Sequence, residues 1–276
     1  MNSNLALIKG AGDLASGVAC VLKGAGFRVV LTETEQPTCV RRKVSFAEAV
    51  YAGEVSIRGI TGRLVENTAE ARRTMARGQI AVLIDPRGEA LNSLCPEIFI
   101  DATMLKRNCG LKLDCAPIVI ALGPGFEAGV DARSVIETQR GPQLGKPLYR
   151  GTAAPNTGIP GEVLGYTSQR VLRAPLEGTF SVCLNIGDLV NVGDTVAYVN
   201  DIPVRSLIDG VIRGLLKDGL WVHRGMKVGD VHPEKDKRVC YLVTDKALLI
   251  GQGVLKAIHF LRRLTSLTIK GSFSGS

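Results

Sequence analysis

The sequence predicts an α/β protein in two parts, a parallel sheet flanked by helices and, after it, a smaller antiparallel β domain. Three patterns lead to this expectation. In the first half, short apolar runs alternate with stretches whose apolar residues recur at helical spacing, as in parallel strands joined by helices. A glycine-rich turn, Gly10-Ala11-Gly12-Asp13-Leu14-Ala15, joins the first apolar run to the first such stretch. Beyond residue 173 the chain repeats itself at an offset of 32. Gly178, Gly187 and Gly193 return as Gly210, Gly219 and Gly225, and Arg173, Val190 and Val196 return as Arg205, Val222 and Val228.

Leu5-Ala6-Leu7-Ile8 is the first strand, after which Leu14, Val18, Val21 and Leu22 mark one face of a helix. Gly24-Ala25-Gly26 breaks that helix, and Arg28-Val29-Val30-Leu31-Thr32 forms a second strand ending beside Glu33. Such a unit takes a right-handed crossover and parallel pairing. Ser45-Phe46-Ala47-Glu48 has the spacing of a capping box, in which the serine and the glutamate satisfy free amides at a helix start. Further strands are expected at 80–84, 97–100 and 117–122. They run into Asp85-Pro86-Arg87, Asp101-Ala102-Thr103 and Gly123-Pro124-Gly125. Residues 1–160 are therefore expected to form a Rossmann-like domain that binds a nucleotide or cofactor.

Glycine, proline and threonine dominate 141–161, which reads as a linker. The repeat that follows, at 161–239, needs positive φ or close approach at its matched glycines, with β-branched strands between them. Two halves too small to bury a core alone are expected to close as a β-sandwich. The arrangement resembles the barrel-sandwich hybrid of biotinyl and lipoyl carriers. The join between the halves, Tyr198-Val199-Asn200-Asp201-Ile202-Pro203-Val204-Arg205, lacks the lysine those carriers modify. A structural or docking module is thus expected rather than a carrier. Residues 240–263 should add a strand near Cys240-Tyr241-Leu242-Val243 and an amphipathic helix carrying Ala247, Ile250, Val254, Ile258 and Leu261 on one face. The tail, 264–276, reads as disordered.

With 276 residues, 45% hydrophobic and 22% charged, the chain can bury a sizeable core. A formal net charge of +8 suits an anionic partner such as a phosphorylated small molecule. Nucleic acid is not expected, because the basic residues are scattered and only 5% of residues are aromatic. Seven cysteines, an odd count without a C-x-x-C pair or a histidine cluster, argue against a disulfide framework or zinc site and for a reducing cytoplasm. No metal site, signal peptide or membrane span is expected.

Gly10-x-Gly12-x-x-Ala15 lies between a strand and a helix, with Glu33 21 positions after Gly12, the context of a dinucleotide-binding fingerprint. Gly10 would permit the turn, Gly12 would let the backbone approach a phosphate, and Glu33 would accept from a ribose hydroxyl. Asp13 stands where it would repel a bare phosphate. A purely structural glycine turn is the alternative. Asp85, Asp101, Gly123 and Gly125 are expected on the same sheet edge, with Lys106, Arg107 and Arg140 supplying positive charge. His223, His232 and His259 fall outside the first domain, so no nucleophile–base pair stands out. Cys39, just ahead of Arg41-Arg42, reads either as an activated thiol, suited to carrying sulfur, or as an inert small apolar residue.

Three stretches together resemble the YqeB family: Ile8-Lys9-Gly10-Ala11-Gly12-Asp13-Leu14-Ala15-Ser16-Gly17, Glu35-Gln36-Pro37-Thr38 through Val50, and Ala121-Leu122-Gly123-Pro124-Gly125-Phe126. The likeness continues through Val135-Ile136-Glu137-Thr138, Pro155-Asn156-Thr157-Gly158, Arg213-Gly214-Leu215-Leu216 and Asp245-Lys246-Ala247 to about Arg263. That family is associated with selenium-dependent molybdenum hydroxylases, and its nucleotide-fold portion is similar to XdhC-type maturation factors. The resemblance implies a cytoplasmic accessory protein that binds molybdenum cofactor or a nucleotide-containing form of it and serves a molybdenum hydroxylase client, possible as a homodimer. It implies no catalytic residue. Pro142 stands where the family usually has histidine, Val231-His232-Pro233-Glu234 replaces its usual x-Asp-Pro-Arg, and Cys39 takes the place of a small apolar residue. An NAD(P)-dependent oxidoreductase and a ligand-free docking module are the alternatives.

Overall fold

The computed structural model describes the backbone of residues 2–271 and the side chains of residues 4–264. In the first part of the chain lie β1 (Asn2–Lys9), β2 (Arg28–Glu33), β3 (Glu54–Ile57), β4 (Ile60–Val65), β5 (Ile80–Ile84), β6 (Pro96–Asp101) and β7 (Ile118–Leu122). They are followed by β8 (Glu127–Ala128), β9 (Ser134–Ile136), β10 (Pro147–Leu148) and β11 (Gly151–Thr152). All but β8 and β11, which pair with each other, form a nine-stranded sheet in the order β10-β9-β7-β6-β1-β2-β5-β4-β3. Pairing is parallel from β9 to β4, and antiparallel only at the two edge strands β10 and β3. The chain thus travels outward one way through β2 and β5, then crosses back past β1 to build β6, β7 and β9.

The apolar runs follow from this placement. Ala6 and Ile8 of β1 enter one core while Leu5 and Leu7 enter the other, because successive strand side chains point to opposite faces. Among the described residues there are five α-helices: α1 (Asp13–Gly24), α2 (Ala49–Ala52), α3 (Thr68–Ala76), α4 (Ala90–Leu94) and α5 (Asp245–Gly271). Val18, Ala19 and Leu22 of α1 share the first core with Ile250, Val254 and Ile258 of α5. Ala71 and Met75 of α3 and Leu94 of α4 pack in the second.

Eight short strands form the repeat: β12 (Val171–Arg173), β13 (Gly178–Val182), β14 (Leu189–Val190), β15 (Thr195–Val199), β16 (Ile202–Arg205), β17 (Gly210–Leu215), β18 (Trp221–Val222) and β19 (Lys227–His232). They make two four-stranded antiparallel sheets, β12-β19-β17-β14 and β16-β15-β13-β18. A shift of 32 residues carries β13 onto β17, β14 onto β18 and β15 onto β19, so it maps one sheet onto the other. Each sheet takes its two central strands from one half and its flanks from the other. The halves are interlocked around one core, which includes Phe180, Val196, Val211, Ile212, Val222 and Val228.

Three expectations need correction. The capping-box segment starts only a 3-10 turn, Phe46–Glu48, and the four-residue α2. Ser45 does accept from the Ala47 amide, but Glu48 is drawn away to Arg42 at 2.8 Å, and Gly53 at φ +80° ends the helix. Cys240–Val243 is not a strand: a 3-10 turn, Lys237–Cys240, replaces it, with the Cys240 thiol buried and two nearby carbonyls, Val239 and Leu242, turned toward Arg41. The helix expected to stop at 263 continues to Gly271, since 264–270 contains no glycine or proline to break it. Residues 272–276 of the expected disordered tail lie outside the described residues.

Helices α1 and α5 approach through small residues. A Cβ on Gly17 would lie 2.8 Å from the Ala247 backbone, and one on Gly251 would lie 3.1 Å from the Gly17 carbonyl. Alanine gains about 1 kcal/mol of helix propensity over glycine, whereas overpacking against backbone costs about 1–3 kcal/mol. Gly17→Ala should therefore lower the urea midpoint. Gly24→Ala, at the end of the same helix with nothing within 4 Å, should leave it unchanged or raise it. Equal midpoints for the two variants would show that the helices do not depend on close approach.

Candidate functional site

Parallel pairing sends the loops after β1, β2, β6, β7 and β9 to one edge of the sheet, and the reversal of chain travel between β1 and β6 opens a crevice there. The repeat domain stands across this edge. Between them lies a cleft of about 730 Å³. Its sheet side carries Asp13, Thr38, Cys39, Arg41, Met104, Lys106, Pro124 and Thr138–Arg140; its other walls carry Arg170, Arg213 and Lys227 of the repeat domain and Thr244 and Lys246 at the start of α5. Seven cationic side chains line it against one carboxylate, Asp13. Among the described residues, no histidine lines it.

The glycine turn does not cradle this cleft. The Gly10 amide donates to the Thr32 carbonyl at 2.8 Å, and the Ala11 amide to Glu33 Oε2 at 2.9 Å. Asp13 offers its amide to the Cys39 sulfur, and the Leu14 amide donates to Asp13 Oδ1. The anion-binding start of α1 is thus occupied by the chain's own side chains. Gly10, at φ +94°, is required by the loop after β6: a Cβ there would meet the Ala102 carbonyl at 3.1 Å. Gly12 caps α1 from an extended conformation and is not part of the cleft wall. Glu33, expected at a ribose, has its second oxygen held by the Thr34 amide and lies outside the cleft.

The other expected residues divide sharply. Asp85 and Asp101 reach the sheet edge but serve the backbone. Asp85 accepts from the amides of Gly88, Glu89 and Ala90, and Asp101 from the amide and hydroxyl of Thr103. Gly123 and Gly125 let loops pass closely, since a Cβ on Gly125 would overlap the Lys106 backbone at 2.3 Å and one on Gly123 would meet Thr138 Oγ1 at 2.6 Å. Arg107 is exposed outside the cleft. Asp13, Lys106 and Arg140 do line it, Arg140 with its guanidinium bonded to both oxygens of Asp245 at 3.1 Å.

Sequence reasoning missed Arg41, Arg170, Arg213, Lys227 and Lys246 as a group, because 205 residues separate the first from the last. The segment after β2 carries the first of them to the repeat domain: the Leu215 amide donates to the Val40 carbonyl at 2.7 Å, and Arg42 Nε donates to the Leu215 carbonyl at 2.9 Å. Gly214 permits the contact, as a Cβ there would sit 2.8 Å from the Val40 oxygen. Arg41 is then buried between the two, where burial first and Arg213 second lower its affinity for a proton. Burial and the neighbouring Arg140 lower that of Lys246 in the same way. Glu137 holds the opposite wall in place, its buried carboxylate accepting from the amides of Thr138, Gln139 and Ala154 at 2.7 Å.

Over 257 residues, 93% of this chain, the sequence is 46% identical to a protein from Escherichia coli (strain K12) named as uncharacterized protein YqeB. This match supports the YqeB family label. The chain spans about half, 48%, of that relative's length. No family model matches the chain. Among solved structures, it is similar to an aspartoacylase family protein from Mesorhizobium loti, with 14% identity, 82% of this chain and 84% of that one covered, and a TM-score of 0.28. A succinylglutamate desuccinylase/aspartoacylase from Rhodobacter sphaeroides is 14% identical over the same shares of the two chains, with a TM-score of 0.26. Likenesses this weak carry no argument about fold or activity. Among the described residues, no helix is long and apolar enough to cross a membrane and no group of three or more metal-ligating side chains is present.

Of the two readings of Cys39, its surroundings favour the inert thiol over the activated one. Burial, and then the Asp13 carboxylate, push it up to about 11, outweighing hydrogen bonds to the sulfur from Ser45 and the amides of Asp13 and Arg41. Near neutral pH it should hold about a hundredfold less thiolate than an ordinary cysteine. Alkylation followed by peptide mapping is expected to find Cys39 slower than the exposed Cys109 and Cys183, with a rate still climbing above pH 10. A rate that levels off near pH 8 would show the thiol to be unshifted.

Proposed function

We propose that the chain is an accessory protein in the maturation of selenium-dependent molybdenum hydroxylases, holding a molybdopterin-type or nucleotide ligand in the cleft between its two domains. The observation that carries this reading is the charge of the cleft: Lys106, Arg140, Lys227, Lys246 and three further arginines line it with Asp13 as the one carboxylate among the described lining residues. Such a concave lining, with Arg41 and Arg170 buried and Lys106, Arg140 and Lys227 exposed at its rim, suits a compact phosphorylated ligand and is poorly arranged for an extended nucleic acid. The strand order β5-β2-β1-β6-β7-β9 supports a Rossmann-type identity for the sheet domain, whose ligands sit where the chain reverses its direction of travel. The interlocked halves support a barrel-sandwich hybrid for the repeat domain, acting as the second wall of the site.

The relationship to XdhC-type factors belongs to the same proposal, as do a cytoplasmic location and a hydroxylase client. A nicotinamide oxidoreductase is the weaker reading, since Glu33 is engaged by the turn it would have to leave and no histidine faces the cleft. Lys106 and Lys246 would add positive charge around the ligand, and its ring system would lie against Met104, Pro124 and Pro155.

Anaerobic titration with molybdenum cofactor and with its cytosine dinucleotide form should show saturable binding. Lys106→Gln with Lys246→Gln should weaken it about tenfold, and Asp13→Asn should tighten it. No binding up to about 1 mM, a free energy of roughly −4 kcal/mol, would remove the reading.

A further inference from the structure

We propose that Arg41, Arg170 and Arg213 form a subsite for the terminal dianion of a phosphate monoester, so that the repeat domain is a ligand-binding wall of the cleft and not only its cover. This deepens the reading above, on which the identity of the rest of the ligand depends; the subsite itself stands on the charge arrangement.

Asp230 is fully buried on β19, and each of its oxygens is held by a different arginine. Oδ1 accepts from Arg170 Nη1; Oδ2 accepts from Arg213 Nη2 and, at 2.6 Å, from Arg213 Nε. Arg170, 7% exposed, also donates from Nη2 and Nε to the Gly161 carbonyl at 3.0 and 3.3 Å, which commits three of its five N–H groups. Arg41, 5% exposed, faces Arg213, Asp13, Asp230 and the protonated Cys39. Its Nη2 donates to the carbonyls of Val239 at 3.3 Å and Leu242 at 2.9 Å, whereas its Nε and Nη1 have no partner.

Three guanidiniums, two of them buried and that of Arg213 partly so, therefore meet two carboxylates, and one of these, Asp13, also faces Lys246. Arg140 adds to the repulsion at Arg170. Lys106, Lys227 and Lys246 line the same cleft without an ion pair among the described residues. Uncompensated buried positive charge is costly, and a buried arginine with two idle donors beside others of its kind is the arrangement that an added anion completes. Planar guanidiniums match phosphoryl oxygens in pairs, and a monoester presents three such oxygens with a charge of about −1.5 to −2 at neutral pH. A phosphodiester offers fewer oxygens and half the charge.

The test uses two probes with the same base and sugar, adenosine 5′-monophosphate and its 3′,5′-cyclic diester, measured by calorimetry at low salt on the intact chain. The monoester should bind about tenfold tighter or more, and inorganic phosphate should compete with it. Arg213→Gln should reduce its affinity to that of the cyclic form. Should that variant fail to fold, Lys227→Gln with Lys246→Gln, which breaks no hydrogen bond of the Asp230 cluster, decides instead and should lower monoester binding several-fold. Equal binding of the two probes, or monoester affinity unchanged in the folded variant, overturns the proposal. If the discrimination holds while molybdenum cofactor fails to bind, the subsite stands and the pterin reading falls; the converse result removes the subsite alone.

Discussion

The cleft depends on one short contact, the backbone of Val40 and Arg42 laid against Leu215 of β17. It fixes the distance between a parallel sheet and a β-sandwich that otherwise have separate cores. The contact is possible because Gly214 leaves room for the Val40 carbonyl, and it forces Arg41 inward, where its Nη2 ties the Val239–Leu242 turn to the same joint. That turn leads into α5, which returns to pack on α1 in the first core. The chain is thus stitched twice, once before the repeat and once after it, and the cleft lies between the stitches.

This closure explains why the most conspicuous motif is not where the charge gathers. Gly10-Ala11-Gly12 builds the expected turn in the expected place, at the mouth of the parallel sheet. Yet the amides that such a turn presents are met by Glu33, Cys39 and the Asp13 side chain. A backbone donor already paired gains little from a phosphate, whereas a buried arginine with donors left unpaired and too few carboxylates around it gains more. The positive charge of the cleft therefore sits on guanidiniums of the facing wall, while the main-chain donors at the helix start are already paired. Asp13 is the one carboxylate among the described residues that line the cleft.

The same comparison separates scaffold from site among the acidic residues. Asp85, Asp101 and Glu137 all stand at strand ends, the usual station of functional carboxylates, but each accepts from two or more donors in its own loop. They hold the edge of the sheet rigid. Its lining is left to cations drawn from three separate regions of the chain. The similarity to the protein named YqeB extends over 93% of the chain, far beyond the glycine turn alone.

By itself the sequence determined the periodic and local features: the parallel α/β sheet, the glycine turn, the 32-residue repeat and the apolar face of the last helix. These follow from rules that act within a few residues, namely side-chain alternation, helical spacing and the backbone conformations only glycine adopts freely. The interlocking of the repeat halves, the return of α5 to the first core and the meeting of Arg41, Arg170, Arg213 and Lys246 were decided only by the tertiary structure. Charge clusters of this kind have no spacing to read. Whether an arginine is a solvated surface residue or a buried, unpaired one depends on what the rest of the chain brings against it, and at Arg41 that is a strand 173 residues away from Arg42.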